Sequence, residues 1–225
     1  MTTRVCFVRH GATQLTAEDR FSGATGVELS DEGRRQAQRL GERLSDDPIA
    51  AVYCSPLSRT VETARILSVP HRLTPVSRDG LREISHGRWE GLTRREVEER
   101  YPEEYSAWEE DPFTFAPQDG ESGVGVLARA LPVIREIVVA HPDECVLVVS
   151  HKATLRLVLS SLLGFDARGY RDRLDQSPAC LNVVDFKDPV RARLMLFNDT
   201  SHYADRPRVS DQNLSKWWDV SRPRS

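Results

Sequence analysis

Three short stretches of this chain put chemistry-bearing side chains where apolar runs stop. Arg9-His10-Gly11 directly follows the strand-like run Val5 to Val8. Ser55-Pro56-Leu57-Ser58-Arg59-Thr60 follows a second run that ends at Cys54. The proline there resets the backbone, so Arg59 falls in the first turn of the helix that begins after it, near that helix's positive end. Ser150-His151-Lys152 follows a third run, Val146 to Val149, and again leads into a helix. In sheets covered by helices, ligands gather at the carboxyl ends of strands. If the three strands are neighbours, Arg9, His10, Arg59 and His151 meet in one pocket with two fixed positive charges. Such a pocket suits a phosphoryl dianion, because guanidinium groups offer donors in the fork that phosphate oxygens match. Each piece alone has a plainer reading, a strand-end histidine with a satisfied ring beside a solvated arginine. Repetition at three junctions favours the chemistry.

The elements that would hold these residues are legible as alternating apolar runs. Strand-length runs recur at Val5 to Val8, Ala50 to Cys54, Leu73 to Val76, Val146 to Val149, Leu181 to Phe186 and Leu194 to Phe197. Helix-length amphipathic segments lie between several of them. The first opens at Ser30, a good N-cap, with Asp31 and Glu32 in its first turn and Ala37, Leu40 and Leu44 at helical spacing. It should end near Asp46-Asp47-Pro48. Further helices are expected at Leu57 to Leu67, Val126 to Ala140 and Thr154 to Leu163, with a kink or a helix start near Pro132. Strands apolar on both faces, alternating with helices, predict an α/β fold: a three-layer sandwich around a mostly parallel sheet.

Residues 87 to 123 read differently. Trp89, Tyr101, Tyr105, Trp108, Phe113 and Phe115 are interleaved with dense charge and three prolines. This predicts a small helical insertion packed over the sheet, with Trp89, Tyr101 and Trp108 as packing residues. One domain over residues 1 to 203 is expected, followed by a polar tail over 204 to 225 whose strongest apolar feature is Trp217-Trp218.

Composition narrows the possible partners. With 31 Lys+Arg against 34 Asp+Glu, the net charge of -3 supplies no global field for nucleic acid or anionic lipid. No apolar stretch approaches the roughly 20 residues that a membrane-spanning helix needs. The N-terminus runs into its first strand with no apolar signal core, so a cytoplasmic location is expected. Cys6, Cys54, Cys145 and Cys180 lie far apart among apolar neighbours and read as buried, reduced thiols. The six histidines show no metal-site spacing, so no metal and no cofactor is expected. A small phosphorylated substrate is the expected partner, and a homodimer is the one macromolecular assembly left open.

At this point the sequence resembles the histidine phosphatase superfamily, the phosphatases related to phosphoglycerate mutase. The likeness runs over about residues 4 to 203. Arg9-His10-Gly11-Ala12-Thr13 carries it first, then Arg20-Phe21-Ser22-Gly23 and Leu29-Ser30-Asp31-Glu32-Gly33 with Gln36-Ala37. Ser55 to Thr60 with Thr63-Ala64 follows, then Leu81-Arg82-Glu83-Ile84 with Gly87-Arg88-Trp89-Glu90-Gly91, Gly120-Glu121-Ser122 and Ser150-His151. No single piece is decisive; their order and spacing together are.

The resemblance implies that His10 is the nucleophile that becomes phosphorylated, that Arg9, Arg59 and His151 clamp the phosphate, and that Glu83 is the acid/base. It also implies that Gly23 lets a backbone amide approach the phosphate. Two departures from the family pattern stand out. Thr16 occupies a position where many relatives carry Asn in contact with phosphate or substrate; its hydroxyl can still donate, but with a shorter reach. Lys152 and Ala153 follow His151 where Gly or Asn and a further Gly are common, and Lys152 is either a solvated helix-start residue or a cation facing the substrate. His86 is a further candidate for the pocket lining, whereas His71, His141 and His202 sit on no matched motif. The function expected is hydrolysis of a small phosphomonoester. Phosphoryl transfer of the mutase type is the rival, disfavoured because residues 87 to 123 are short for the mutase insertion. A phospho-ligand binding module without catalysis is the third reading.

Overall fold

The computed structural model describes residues 2–17, 20–23 and 26–204, with the side chains of Thr16 and Ala17 excepted. The expectations about Trp217, Trp218 and the tail beyond 204 lie outside the described residues.

A six-stranded sheet forms the centre. Its strands are β1 (Thr3–Arg9), β2 (Ile49–Cys54), β3 (Val76–Ser77), β4 (Cys145–Ser150), β5 (Leu181–Phe186) and β6 (Ala192–Asp199). Their order across the sheet is β3-β2-β4-β1-β5-β6. Strands β1 to β4 run parallel, and β5 is antiparallel to both β1 and β6. The fold is therefore α/β with a mostly parallel sheet, as the alternation of runs predicts.

Side chains on a strand alternate between faces, and here both faces are apolar. On one face Val5, Phe7, Val146, Val148, Val184 and Phe186 join a core with residues of α6 (Gly123–Ala140) and α7 (Lys152–Leu162). On the other, Cys6, Val8, Leu147 and Val149 pack with α2 (Asp31–Arg43) and α3 (Ser58–Ser68). Two helical layers thus sandwich the sheet. Between β3 and α6 lie α4 (Arg94–Arg100) and α5 (Pro102–Glu110), with their own core of Phe21, Trp89, Val97, Tyr105 and Trp108. Trp89 and Trp108 are buried, and Tyr101 is half-buried under the Arg88 guanidinium, 4.0 Å from its ring centroid. The short helices α1 (Gln14–Ala17) and α8 (Tyr170–Arg173) complete the set. No helix among the described residues is long and apolar enough to cross a membrane.

Four local expectations need correction. The strand expected at Leu73 to Val76 is only Val76–Ser77, because Leu73 N donates to Ser68 O to close the end of α3, and Arg72 sits at φ 55°. Pro75 also removes a ladder donor there. α6 starts at Gly123, three residues early, where Ser122 accepts from Gly125 N, and it runs continuously through Pro132. α2 ends at Arg43, before the Asp-Asp-Pro segment. Cys145 is half-buried and its Sγ lies 3.8 Å from that of Cys6, since β1 and β4 are neighbours; all four cysteines are free.

Candidate active site

The three chemistry-bearing junctions belong to β1, β4 and β2, which are adjacent. Arg9 pairs with Ser150, and Cys54 pairs with Val149, so the three carboxyl ends finish level. His10 N donates to Ser150 O at 3.0 Å, and Ser55 N to Val149 O at 3.1 Å, which extends the ladder into the junctions. The rings of His10 and His151 come within 5.2 Å, centroid to centroid.

His10 is held in one tautomer. Its Nδ1 lies 2.8 Å from Gly11 O, which accepts only, so Nδ1 carries the proton and Nε2 keeps its lone pair. Burial, then the guanidiniums of Arg59 and Arg9, push the imidazole well below the usual histidine range. The loop that presents it is pinned from both sides. Gly11 N donates to Thr63 Oγ1, Ala12 N donates to Gln36 Oε1, and Ser30 Oγ donates to Ala12 O. A Cβ on Gly11 would stand 2.4 Å from Gly33 O, and one on Gly33 would stand 2.1 Å from Ala12 O. The two backbones touch, which is why both positions are glycine.

Arg9 and Arg59 are buried, and carbonyl oxygens hold them. Arg9 Nη1 donates to Gln176 O at 2.6 Å, and Arg59 Nη2 donates to Gly23 O at 2.7 Å. A carbonyl orients a guanidinium without cancelling its charge. His151 Nε2 lies 2.8 Å from Ser55 Oγ, and Ser55 Oγ accepts from Leu57 N. Ser55 Oγ thus ties the ring edge of His151 to the start of α3. The other ring nitrogen of His151, Nδ1, and the Nε of Arg9 are buried polar atoms with no hydrogen-bond partner among the described residues. Unpartnered buried polar atoms are costly, so two of them beside two guanidiniums mark a place for a polar, anionic ligand. Burial, Arg59, His10 and Arg9 also hold the His151 pKa low.

Glu83 joins the group from the segment after β3. Its Oε1 accepts from Ile84 N, Thr154 N and Thr154 Oγ1, and its Oε2 from Ala153 N, so it sits on the first turn of α7. Glu83 acts electrostatically on both Arg9 and Arg59. Arg129 of α6 fixes the segment: it donates to the carbonyls of Gly80, Arg82 and Glu83 and pairs with Glu121 at 2.7 Å. Ser150 Oγ holds Leu81 O from the other side.

The structure thus gathers Arg9, His10, Arg59, Glu83 and His151, and deals differently with the other candidates. Gly23 offers its carbonyl to Arg59, and its φ of 33° is a backbone conformation that favours glycine. Thr16 lies in α1, and its side chain falls outside the described residues. Lys152 opens α7 and pairs with Asp175. His86 packs on Phe21 at 4.8 Å, within the electrostatic reach of Glu83 and Glu90, and burial lowers its pKa. His141 is bonded to Tyr53 and Glu144 and takes no part. Among the described residues no cluster of three His, Cys, Asp or Glu has the arrangement to hold a metal.

Sequence reading missed several supports. Arg129, Thr154 and Gln176 bond to the site across 46, 71 and 167 residues. Gln176 is itself fixed by a reciprocal amide pair with Asn182. One signal was available for Arg129. It is an arginine one position from the buried face of α6, where Val126, Ala130 and Ile134 recur.

A neutral imidazole, two oriented guanidiniums and a carboxyl group form a set able to displace an alcohol from phosphorus. The comparisons agree with that chemistry. The chain is 34% identical over 163 residues to phosphoserine phosphatase 1 of Hydrogenobacter thermophilus, covering 72% of this chain and 77% of that one. It is 36% identical over 169 residues to the glucosyl-3-phosphoglycerate phosphatase of Mycolicibacterium vanbaalenii, with 72% and 74% covered. Among solved structures, Bacillus stearothermophilus YhfR superposes with a TM-score of 0.83 at 30% identity, over 89% of this chain and 98% of that one. The profile of the histidine phosphatase superfamily, branch 1, matches residues 5–200, so nearly the whole described fold, with its gathered strand ends, belongs to that superfamily.

Proposed function

We propose that the protein is a metal-independent phosphomonoester hydrolase that acts on a small phosphorylated metabolite through a phosphohistidine at His10. The observation that carries this reading is the state of His10, neutral, with Nδ1 bound to Gly11 O and its lone pair on Nε2 beside two guanidiniums. In the first step Nε2 attacks phosphorus and the ester P–O bond breaks. Glu83, entering as the carboxylic acid, gives its proton to the departing oxygen. In the second step water attacks the phosphohistidine, the N–P bond breaks, and the Glu83 carboxylate takes the proton that the water loses. Arg9, Arg59 and His151 hold the equatorial oxygens through both steps, the positioning and charge stabilisation on which phosphoryl transfer depends.

Turnover of p-nitrophenyl phosphate by the wild type and by His10→Ala tests the reading. The wild type is expected to be active in the presence of a chelator, and His10→Ala to lose more than about 1000-fold. The quenched intermediate should be labile in acid and stable in alkali, as a phosphoramidate is. An acid-stable phosphoenzyme, or activity that needs added magnesium, overturns it.

A further inference from the structure

One charged cluster remains that these steps do not use. Lys152 and Arg156 stand four residues apart on α7, hence on one face, and both reach Asp175 in the segment between α8 and β5. Lys152 Nζ lies 3.3 Å from Asp175 Oδ1, and Arg156 Nη2 lies 2.8 Å from the same oxygen. The next residue, Gln176, accepts from Arg9 Nη1. The cluster is therefore joined to the phosphate clamp through adjacent residues on both chains of contact, Lys152 following His151 and Asp175 preceding Gln176.

Its charges do not balance. Two cations, Lys152 and Arg156, pair with the one carboxylate of Asp175, and Arg9 adds a third positive charge nearby; Asp175 and Lys152 are partly open to water, whereas Arg156 is not. The Arg156 side chain is nine-tenths buried, and its Nε has no hydrogen-bond partner among the described residues, as is also true of Arg9 Nε. Burying an arginine with an unmet donor is costly unless an acceptor arrives in use. The electrostatic balance of the cluster agrees. Burial first, then Arg156 and Arg9, lower Lys152 to about 8 against the opposing pull of Asp175. Burial alone would raise Asp175, yet Lys152 and Arg156 hold it at about 2.

We infer that Lys152 and Arg156, bridged by Asp175, form a second anion subsite beside the phosphate clamp, which selects phosphomonoesters carrying a further anionic group, a carboxylate or a second phosphoryl group. This inference rests on the phosphatase reading of the clamp. Lys152 is thus a substrate-facing cation and not a solvated helix-start residue, and Asp175 keeps the two cations together until the ligand's anion arrives.

Calorimetric binding of three phosphonates to the full chain at pH 7 tests this without turnover. Propylphosphonate lacks a second anion, 3-phosphonopropionate adds a carboxylate, and propane-1,3-bisphosphonate adds a phosphonate. One desolvated charge contact corresponds to about ten- to a hundredfold in affinity. The wild type should prefer one or both of the ligands with an anionic tail over propylphosphonate by at least about tenfold, and whichever is preferred names the group. In Lys152→Met that preference should fall by about tenfold. Lys152 is partly exposed, so this variant keeps the test available if the buried Arg156→Gln fails to fold. Preferences within about twofold in the wild type, or an unchanged preference in Lys152→Met, overturn the subsite. The same wild-type sample assayed on p-nitrophenyl phosphate separates the two ideas: no turnover sinks the hydrolase reading, whereas turnover without a preference sinks only the subsite.

Discussion

At the strand ends, Arg9 and Arg59 are buried and bonded to the carbonyls of Gln176 and Gly23, whereas in the insertion Arg88 and Arg95 end on the carboxylates of Glu104 and Glu99. The two regions use one residue type in opposite ways. In the insertion the charge is neutralised locally, the pairs are exposed or half-exposed, and exposed pairs contribute little to stability. What holds α4 and α5 down is aromatic: Trp89 and Trp108 meet edge to face at 5.8 Å, and Phe21 and Tyr105 complete the cluster. At the strand ends the carbonyl partners fix geometry without cancelling charge, and in the proposed mechanism that charge meets the phosphate. A change in the first region should therefore cost stability, and a change in the second should cost rate.

The sharpest way to break that contrast is Arg59→Met, which keeps the bulk and removes the charge. It should lower kcat/KM on p-nitrophenyl phosphate by about 100- to 1000-fold, by analogy with the loss of one preorganised donor to a developing charge. A loss under threefold would place Arg59 outside the site.

Arg129 tests whether positioning is separable from clamping. It touches the backbone of the Glu83 segment and pairs with Glu121. Arg129→Met should slow an alkyl phosphate about tenfold and p-nitrophenyl phosphate much less, because only the poor leaving group needs a well-placed proton donor. Equal losses on both substrates would reduce Arg129 to a structural residue.

Trp89→Ala probes the other region. The indole is fully buried, and its Nε1 donates to Glu104. Truncation should cost about 3–5 kcal/mol of stability, read as a lower melting temperature, with turnover at low temperature changed by less than about threefold. Altered substrate choice at unchanged stability would turn the insertion into a recognition element.

The smallest effect expected is an absence. The pKa of His10 lies well below 6.5, so its neutral form persists as pH falls through that value. In the unliganded enzyme the His10 ring resonance should not titrate between pH 7.5 and 5.5, whereas an ordinary histidine would be mostly protonated at the lower end. The linked consequence has a definite sign. Below about pH 6.5 the unfolded chain binds protons that buried His10 and His151 refuse, so stability should decline there.

What the sequence by itself determined is local. Leu181 to Phe186 stands out as a strand because its apolar run has the length of one, and the observed strand has the same bounds. Ser30 marks the start of α2 because a side-chain acceptor before an amphipathic run satisfies the first amide groups of a helix. Arg9, His10, Arg59 and His151 were legible because each sits within a few residues of the end of a strand run. Glu83 was legible only through resemblance, since nothing in its immediate neighbours distinguishes it from a surface carboxylate.

The tertiary structure decided whatever depends on which strands are neighbours. The order β2-β4-β1 makes three separate junctions one site, and it also brings Cys6 beside Cys145. Tertiary contacts gave Gly23 its work as a carbonyl for Arg59, gave Glu83 its seat on α7, and placed Asp175 between Lys152 and Arg156. The physical reason is one of range. Strand and helix periods are written in consecutive side chains, whereas hydrogen bonds that span 46 to 167 residues exist only after the sheet has chosen its order.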